Sequence, residues 1–448
     1  MKKKMFVLIG LMVVASMLLA GCAQATPAAT EPAATEPAAT EAAPTQAPAT
    51  EAPAAEPVTI RFAHQFSDTE SAKLDEIIQK FEAENPDIKI EVERNNDSNF
   101  YDKLVTSILG EDAPDIARVE PVKAAQYISA GYAANLDEFI AADLRDQFFP
   151  GTLEPLVKDG SLYGVPQDVS TMVLYYRTDL FEAAGIATPP ATWDELLADA
   201  QALTKDTNND GNPEVYGIGL FGGWGAFEFY PWFWQAGGVM LNNDNGAVTP
   251  AFNSPEGVSA LQFWVDLANK YKVMPVGTAT YGEDEIKGPF VAGQIAMFTS
   301  GPWTVASLKG NTEIDGKWAI APLPAGKKSA SVLGGMDLIV LDQSTHKEQA
   351  ARFINYLLQD EVQVDWAKSL DLLPLKKSMY SDPTFKDDAF MQVFSAALEN
   401  SLSRPTISQA GEIDDLFGKA VQAALSGGQT PQAALDDAAA KAAEILKQ

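Results

Sequence analysis

The chain has 448 residues, with 32 Lys and Arg against 61 Asp and Glu, a formal net charge of −29, one cysteine and two histidines. Such an acidic balance argues against nucleic acid and anionic membrane surfaces as partners. The single thiol excludes an internal disulfide, and with two histidines it leaves few candidates for histidine-based triads or clustered His/Cys metal sites.

The chain opens with Lys2, Lys3 and Lys4 ahead of an apolar run from Met5 to Ala20 that is too short for a comfortable bilayer span, so residues 1–21 read as a signal peptide. The run closes on Leu19-Ala20-Gly21-Cys22, which resembles a bacterial lipobox and assigns Cys22 a lipid. Residues 22–57 are almost entirely Ala, Pro, Thr and Glu, with Glu-Pro-Ala-Ala-Thr repeated at 31–35 and 36–40. Without large apolar side chains such a segment cannot offset its ordering entropy, so it is read as a disordered tether. The expected location is outside the cytoplasm, with contact to the bacterial membrane through the lipid alone.

From Val58 onward the pattern is that of an α/β body long enough for two lobes. Val58-Thr59-Ile60-Arg61-Phe62 alternates as a strand; Ser67 and Glu70 are spaced as a capping box for a helix with Leu74, Ile77, Ile78 and Phe81 on one face. Asn85-Pro86 ends that helix, and Ile88, Ile90 and Val92 alternate again, so the two strands are expected to be parallel. A helix carrying Leu104, Val105, Ile108 and Leu109 and a short strand over 115–119 follow. Leu180, Phe181, Trp193, Leu196, Leu197 and Leu203 mark further helices, and 215–218 and 295–298 read as strands.

Gly110-Glu-Asp-Ala-Pro-Asp-Ile116 and Tyr163-Gly-Val-Pro-Gln-Asp168 resemble family 1 extracellular solute-binding proteins of the maltose-binding type. Leu174-Tyr-Tyr-Arg-Thr-Asp-Leu-Phe181, Pro190-Ala-Thr-Trp-Asp-Glu-Leu196, Phe290-Val-Ala-Gly-Gln-Ile-Ala-Met297, Gly301-Pro-Trp303, Ala321-Pro-Leu-Pro-Ala-Gly326 and Arg404-Pro405 continue the match in order. The resemblance implies a two-lobed periplasmic-binding-protein-like fold, each lobe a mixed, mostly parallel sheet flanked by helices. It implies three hinge crossings, near Val165–Gln167, Pro322–Ala325 and Leu373–Lys376. The lobes would be 58–165 with 325–373, and 166–324 with 374–448. The implied activity is capture of a sugar for an ABC transporter permease by a monomer that needs no cofactor.

A sugar presents hydroxyls and flat CH faces, so its cleft needs carboxylates or amides and aromatic platforms. Candidate polar partners are Gln65 and Asp68 after the first strand, Glu120, Gln167 and Asp168 at the first crossing, Asp337 and Arg404, with Gly335 admitting ligand against bare backbone. Eight aromatic residues lie between Phe221 and Trp234, and Trp224 and Trp232 are selected from them. Trp303 occupies the Gly-Pro-Trp position whose ring stacks on sugar in the family. Arg404 keeps a sugar phosphate open as an alternative.

Asp206, Asn208, Asp210 and Glu214 place oxygens as the first half of a calcium loop does, with Gly217 where a bidentate Glu would be needed, so a polar turn is preferred over calcium. Two further alternatives stay open: a surface-anchored carbohydrate-active enzyme using paired carboxylates, and a sensor that presents its ligand to a membrane kinase.

Overall fold

A computed structural model describes residues 56–96, 99–149, 151–244 and 246–447. The signal peptide, Cys22 and the tether up to residue 55 lie outside the described residues. Among those described, no helix is long and apolar enough to cross a membrane.

Strand β1 (Val58–His64) buries Ile60 and Phe62, and helix α1 (Asp68–Glu84) follows from a complete capping box between Ser67 and Glu70. Leu74, Ile77, Ile78 and Phe81 form its buried face, and Asn85 caps its end. Strand β2 (Ile88–Arg94) pairs in parallel with β1, as the alternation predicts, and β3 (Ile116–Val119) flanks β1 on the other side, also in parallel. In the intervening helix, Phe100–Leu109, Leu104 and Ile108 are buried while Leu109 faces solvent.

One long strand carries the chain out of this first sheet. Strand β4 (Gly164–Thr171) pairs antiparallel with a later strand of the same sheet, and after Met172 alone the chain enters β5 (Val173–Arg177) of a second sheet. There β5 is central, with β6 (Met297–Ser300) and β7 (Trp318–Ala321) antiparallel on either side. This ladder is antiparallel rather than mostly parallel. Residues 215–218, expected as a strand, contribute only isolated bridges such as Tyr216 to Ile295, because the Gly217 N–H is taken by Thr204 Oγ1.

Strand β8 (Ser331–Val340) returns to the first sheet, running antiparallel to β3 and β4, and β9 (Ser401–Leu402) pairs in parallel with its start. The strand pairing therefore places the first passage at 171–173, beyond the expected Val165–Gln167, and the second between Ala321 and Ser331. Leu373 and Leu375 pack into the same core as β1, and helix Ala389–Leu398 then contacts strands of both sheets. Where β4, β8 and β9 meet, the hydroxyls of Thr171, Ser331 and Ser401 form a buried cluster at 2.9 and 2.6 Å. Three segments remote in sequence are thus joined at one point between the sheets.

The resemblance motifs prove to be scaffold as well as cleft. Arg177, at the end of β5, donates to both carboxylate oxygens of Asp179 and to the carbonyls of Phe290 and Val291. Two of the motifs are in this way locked together away from the cleft.

Candidate functional site

A cleft of about 500 Å³ opens where the strand ends of the first sheet face the loops of the second. Its wall on the first sheet is made by Glu70, Arg118, Glu120 and Met336, and its opposite wall by Trp224, Phe227, Pro302 and Trp303. Asp168, Gly335 and Arg404 form the floor between them, with Asp414 beside Arg404. A second compartment of about 470 Å³ shares Glu70, Arg118, Glu120 and Met336 and adds Gln65 and Tyr101.

The floor is an apposition of backbones. Gly335 has φ +128°, and a Cβ on it would stand 2.3 Å from the Asp168 carbonyl oxygen, so only glycine lets β8 lie on β4 here. The register shift between Met336 and Asp337 follows directly after it.

Charge in the cleft is arranged so that neither arginine is free. Arg118, nearly buried, donates to Asp168 at 2.7 Å and to the Gln167 amide oxygen at 2.9 Å, and its guanidinium covers the Phe66 ring at 4.1 Å. Arg404 donates to Asp414 at 3.3 Å, lies 3.8 Å from Glu120 and stands over the Phe227 ring. Glu70, Glu120, Asp168 and Asp414 thus outnumber the two cations, leaving a surplus of hydrogen-bond acceptors at the wall.

The aromatic wall is a connected group: Trp303 lies 6.0 Å from Trp224 and 6.5 Å from Phe227, centroid to centroid. Trp224 remains 43% exposed, large for an indole in a folded body. Beneath it, Glu283 accepts the indole N–H of Trp303 at 2.8 Å. The neighbouring Glu228 is fully buried and bonded to Thr299, and burial, with Glu283 adding to it, holds its carboxyl far above the ordinary value.

Of the residues expected at the site, Glu120, Asp168, Trp224, Trp303, Gly335 and Arg404 line the main cleft and Gln65 the adjoining compartment. Gln167 is buried behind the wall and holds Arg118 instead. Asp68 points to solvent and pairs with Arg94, because Ser67 rather than Asp68 caps the helix. Trp232 is 1% exposed, packed among Trp193, Phe263 and Trp264, since helix Tyr230–Gln235 is buried on every side. Asp337 lines a water-sized cavity shared with Thr152 and Pro166, not the cleft. Burial first, then Asp168, pushes its carboxyl far upward.

Asp206, Asn208, Asp210 and Glu214 spend their oxygens on backbone N–H groups of their own turn: Asp206 accepts from Gly211, Asn208 from Asp210, Asp210 from Asn212 and Glu214 from Thr207. Among the described residues no group of three or more His, Cys, Asp or Glu could hold a metal ion.

Sequence reading missed Glu70, Arg118, Asp414 and Glu283, and left Phe227 unselected among the eight aromatics of 221–234. A charge inside the buried strand Ile116–Val119 was a signal for Arg118, which needs a partner there. Asp414, on a helix remote from the strand ends, carries no local signal.

Residues 67–364 match the family model described as bacterial extracellular solute-binding protein. The fold resembles the GacH receptor of Streptomyces glaucescens, solved unliganded and with acarbose, at TM-score 0.77 and 25% identity over 88% of this chain and 99% of that one. It also resembles a solute-binding protein of an ABC transporter from Thermotoga lettingae, bound with alpha-D-tagatose, at TM-score 0.75 and 30% identity over 87% and 100%. The sn-glycerol-3-phosphate-binding periplasmic protein of Yersinia pseudotuberculosis is 26% identical over 87% of this chain and 92% of its own.

Proposed function

The chain belongs to the bacterial extracellular solute-binding proteins, and from that membership we propose that it is the sugar-capturing subunit of an ATP-binding cassette importer. The observation that carries the choice of ligand is the facing of the Trp303, Trp224 and Phe227 wall by carboxylates, with both arginines of the cleft already paired. Aromatic faces suit the CH faces of a pyranose or furanose ring, and carboxylates accept its hydroxyls. A phosphate ester would meet no uncommitted cation among these wall residues and four carboxylates, which disfavours it.

In this reading ligand contacts to both walls stabilise closure of the two lobes, and the closed form docks a permease. Leader and Cys22 support a lipid-anchored protein outside the cytoplasm. In this reading the chain performs no bond chemistry, and the electrostatically coupled pair Glu228 and Glu283 is buried under the aromatic wall instead of lining the cleft.

A thermal-shift screen of the purified protein tests the ligand class, because a ligand that binds only the folded state raises the melting temperature. Maltose, maltotriose and tagatose represent neutral sugars, with sn-glycerol 3-phosphate, amino acids and oligopeptides as competitors. A shift with a neutral sugar, abolished by Trp303→Ala, is the expected result. A shift confined to the phosphate or the peptides would overturn the sugar assignment.

A further inference from the structure

Trp303 lines the cleft, yet an indole on a helix N-terminus is free to pivot about two side-chain torsions unless something fixes it. Two contacts do. The ring lies against Gly301, where a Cβ would stand 2.1 Å from Cζ3, so the glycine of the Gly-Pro-Trp motif is space for the indole. At the other edge, Nε1 donates to Glu283 Oε2 at 2.8 Å.

Glu283 is 6% exposed and does not line the cleft. Its other oxygen is within hydrogen-bond reach of Ser300 Oγ at 2.9 Å and of Thr304 Oγ1, and those two hydroxyls, themselves 2.8 Å apart, share their two protons among these contacts. One carboxylate therefore joins the end of β6, the first turn of helix Trp303–Lys309 and the indole edge. Its backbone is anchored in turn, because the Glu283 carbonyl accepts from Ile286 and Lys287 at the start of helix Asp284–Val291.

We propose that Glu283 is the positioning residue of the ligand-stacking face, holding the Trp303 indole in one orientation through its N–H. The functional consequence rests on the sugar-binding reading. A charge-assisted bond from a buried carboxylate fixes the ring in the unliganded protein, so stacking does not have to order it. The carboxylate also draws the N–H dipole and makes the ring face more electron-rich, which favours the electropositive CH face of a sugar.

The test combines a ligand-free and a ligand-bound measurement. In protein labelled with 15N-tryptophan, the Trp303 indole resonance is the one missing from Trp303→Phe, and in Glu283→Gln it should move upfield and exchange faster with solvent. Titration with maltotriose should show roughly tenfold weaker binding for Glu283→Gln, the loss expected for a hydrogen bond to a charged group. In the Trp303→Phe background, which keeps a ring but has no N–H, the same substitution should cost less than about twofold.

An unmoved Trp303 resonance, or an equal loss in both backgrounds, would overturn the proposal, since the carboxylate would then act through Ser300 and Thr304 alone. If Glu283→Gln fails to fold, Glu283→Asp, which keeps the charge but withdraws it from the indole, decides by the same readings: a moved Trp303 resonance with several-fold weaker maltotriose binding supports the proposal, and an unmoved resonance contradicts it. If maltotriose does not bind the wild-type protein, the sugar reading is at fault, and the resonance still reports on the positioning role.

Discussion

Arg118 is buried in the first sheet with Asp168, Gln167 and Phe66 as its partners. Replacing it by Met strands the Asp168 carboxylate, and a loss of about 3–5 kcal/mol is expected in urea unfolding. Arg118→Met combined with Asp168→Leu should recover most of that, because no uncompensated charge is left. His64 makes a second prediction. It is fully buried, its Nδ1 accepts from the Phe66 N–H, and burial, with Arg118 and Arg94 beside it, pushes the imidazole from 6.5 down to about 4. The unfolded chain takes up this proton below pH 6.5 and the native one does not, so stability falls by about 3 kcal/mol as pH drops from 6.5 to 4. His64→Asn, which can still accept a backbone N–H two residues on, should flatten that part of the pH profile. Glu228 has the opposite sign: its raised carboxyl keeps a proton that the unfolded chain loses, so its contribution declines as pH rises above 4.5. At this scale the sequence was legible where a residue follows a strand directly, as Glu120 does. It was silent where depth decides: Trp232 and Trp224 look alike as letters, and only packing separates core from cleft.

The opening β1, α1 and β2 unit could be read because each of its signals is local: alternation, a capping box and an Asn-Pro stop. The pairing of β4 with β8 could not, since it depends on contacts between residues more than 150 positions apart. Gly335→Ala is the sharpest probe of that pairing. Its positive φ alone should cost ~1–3 kcal/mol, and the collision with the Asp168 carbonyl adds to it, so a clear drop in melting temperature is expected. The variant should also bind sugar more weakly, because Gly335 and Asp168 both line the cleft floor. A variant as stable as wild type would show that β4 and β8 do not approach this closely. The segment 215–218 illustrates the converse case, in which strand-like composition yields only isolated bridges because the Gly217 N–H is taken by the Thr204 hydroxyl.

Across the whole molecule, the order of motifs revealed the family before any side chain was placed, while the ligand class needed the cleft. The net charge of −29 describes solubility and long-range repulsion; the discrimination between sugar and phosphate lies instead in two arginines that carboxylates have already neutralised. Isothermal titration of the purified protein with maltotriose and with sn-glycerol 3-phosphate, followed by chromatographic recovery of the titrant, is the most direct check. Saturable binding of the neutral sugar, recovered intact, with no heat from the phosphate, is the expected outcome. Tighter binding of the phosphate would contradict the neutral-sugar assignment, and a cleaved sugar would contradict capture without chemistry.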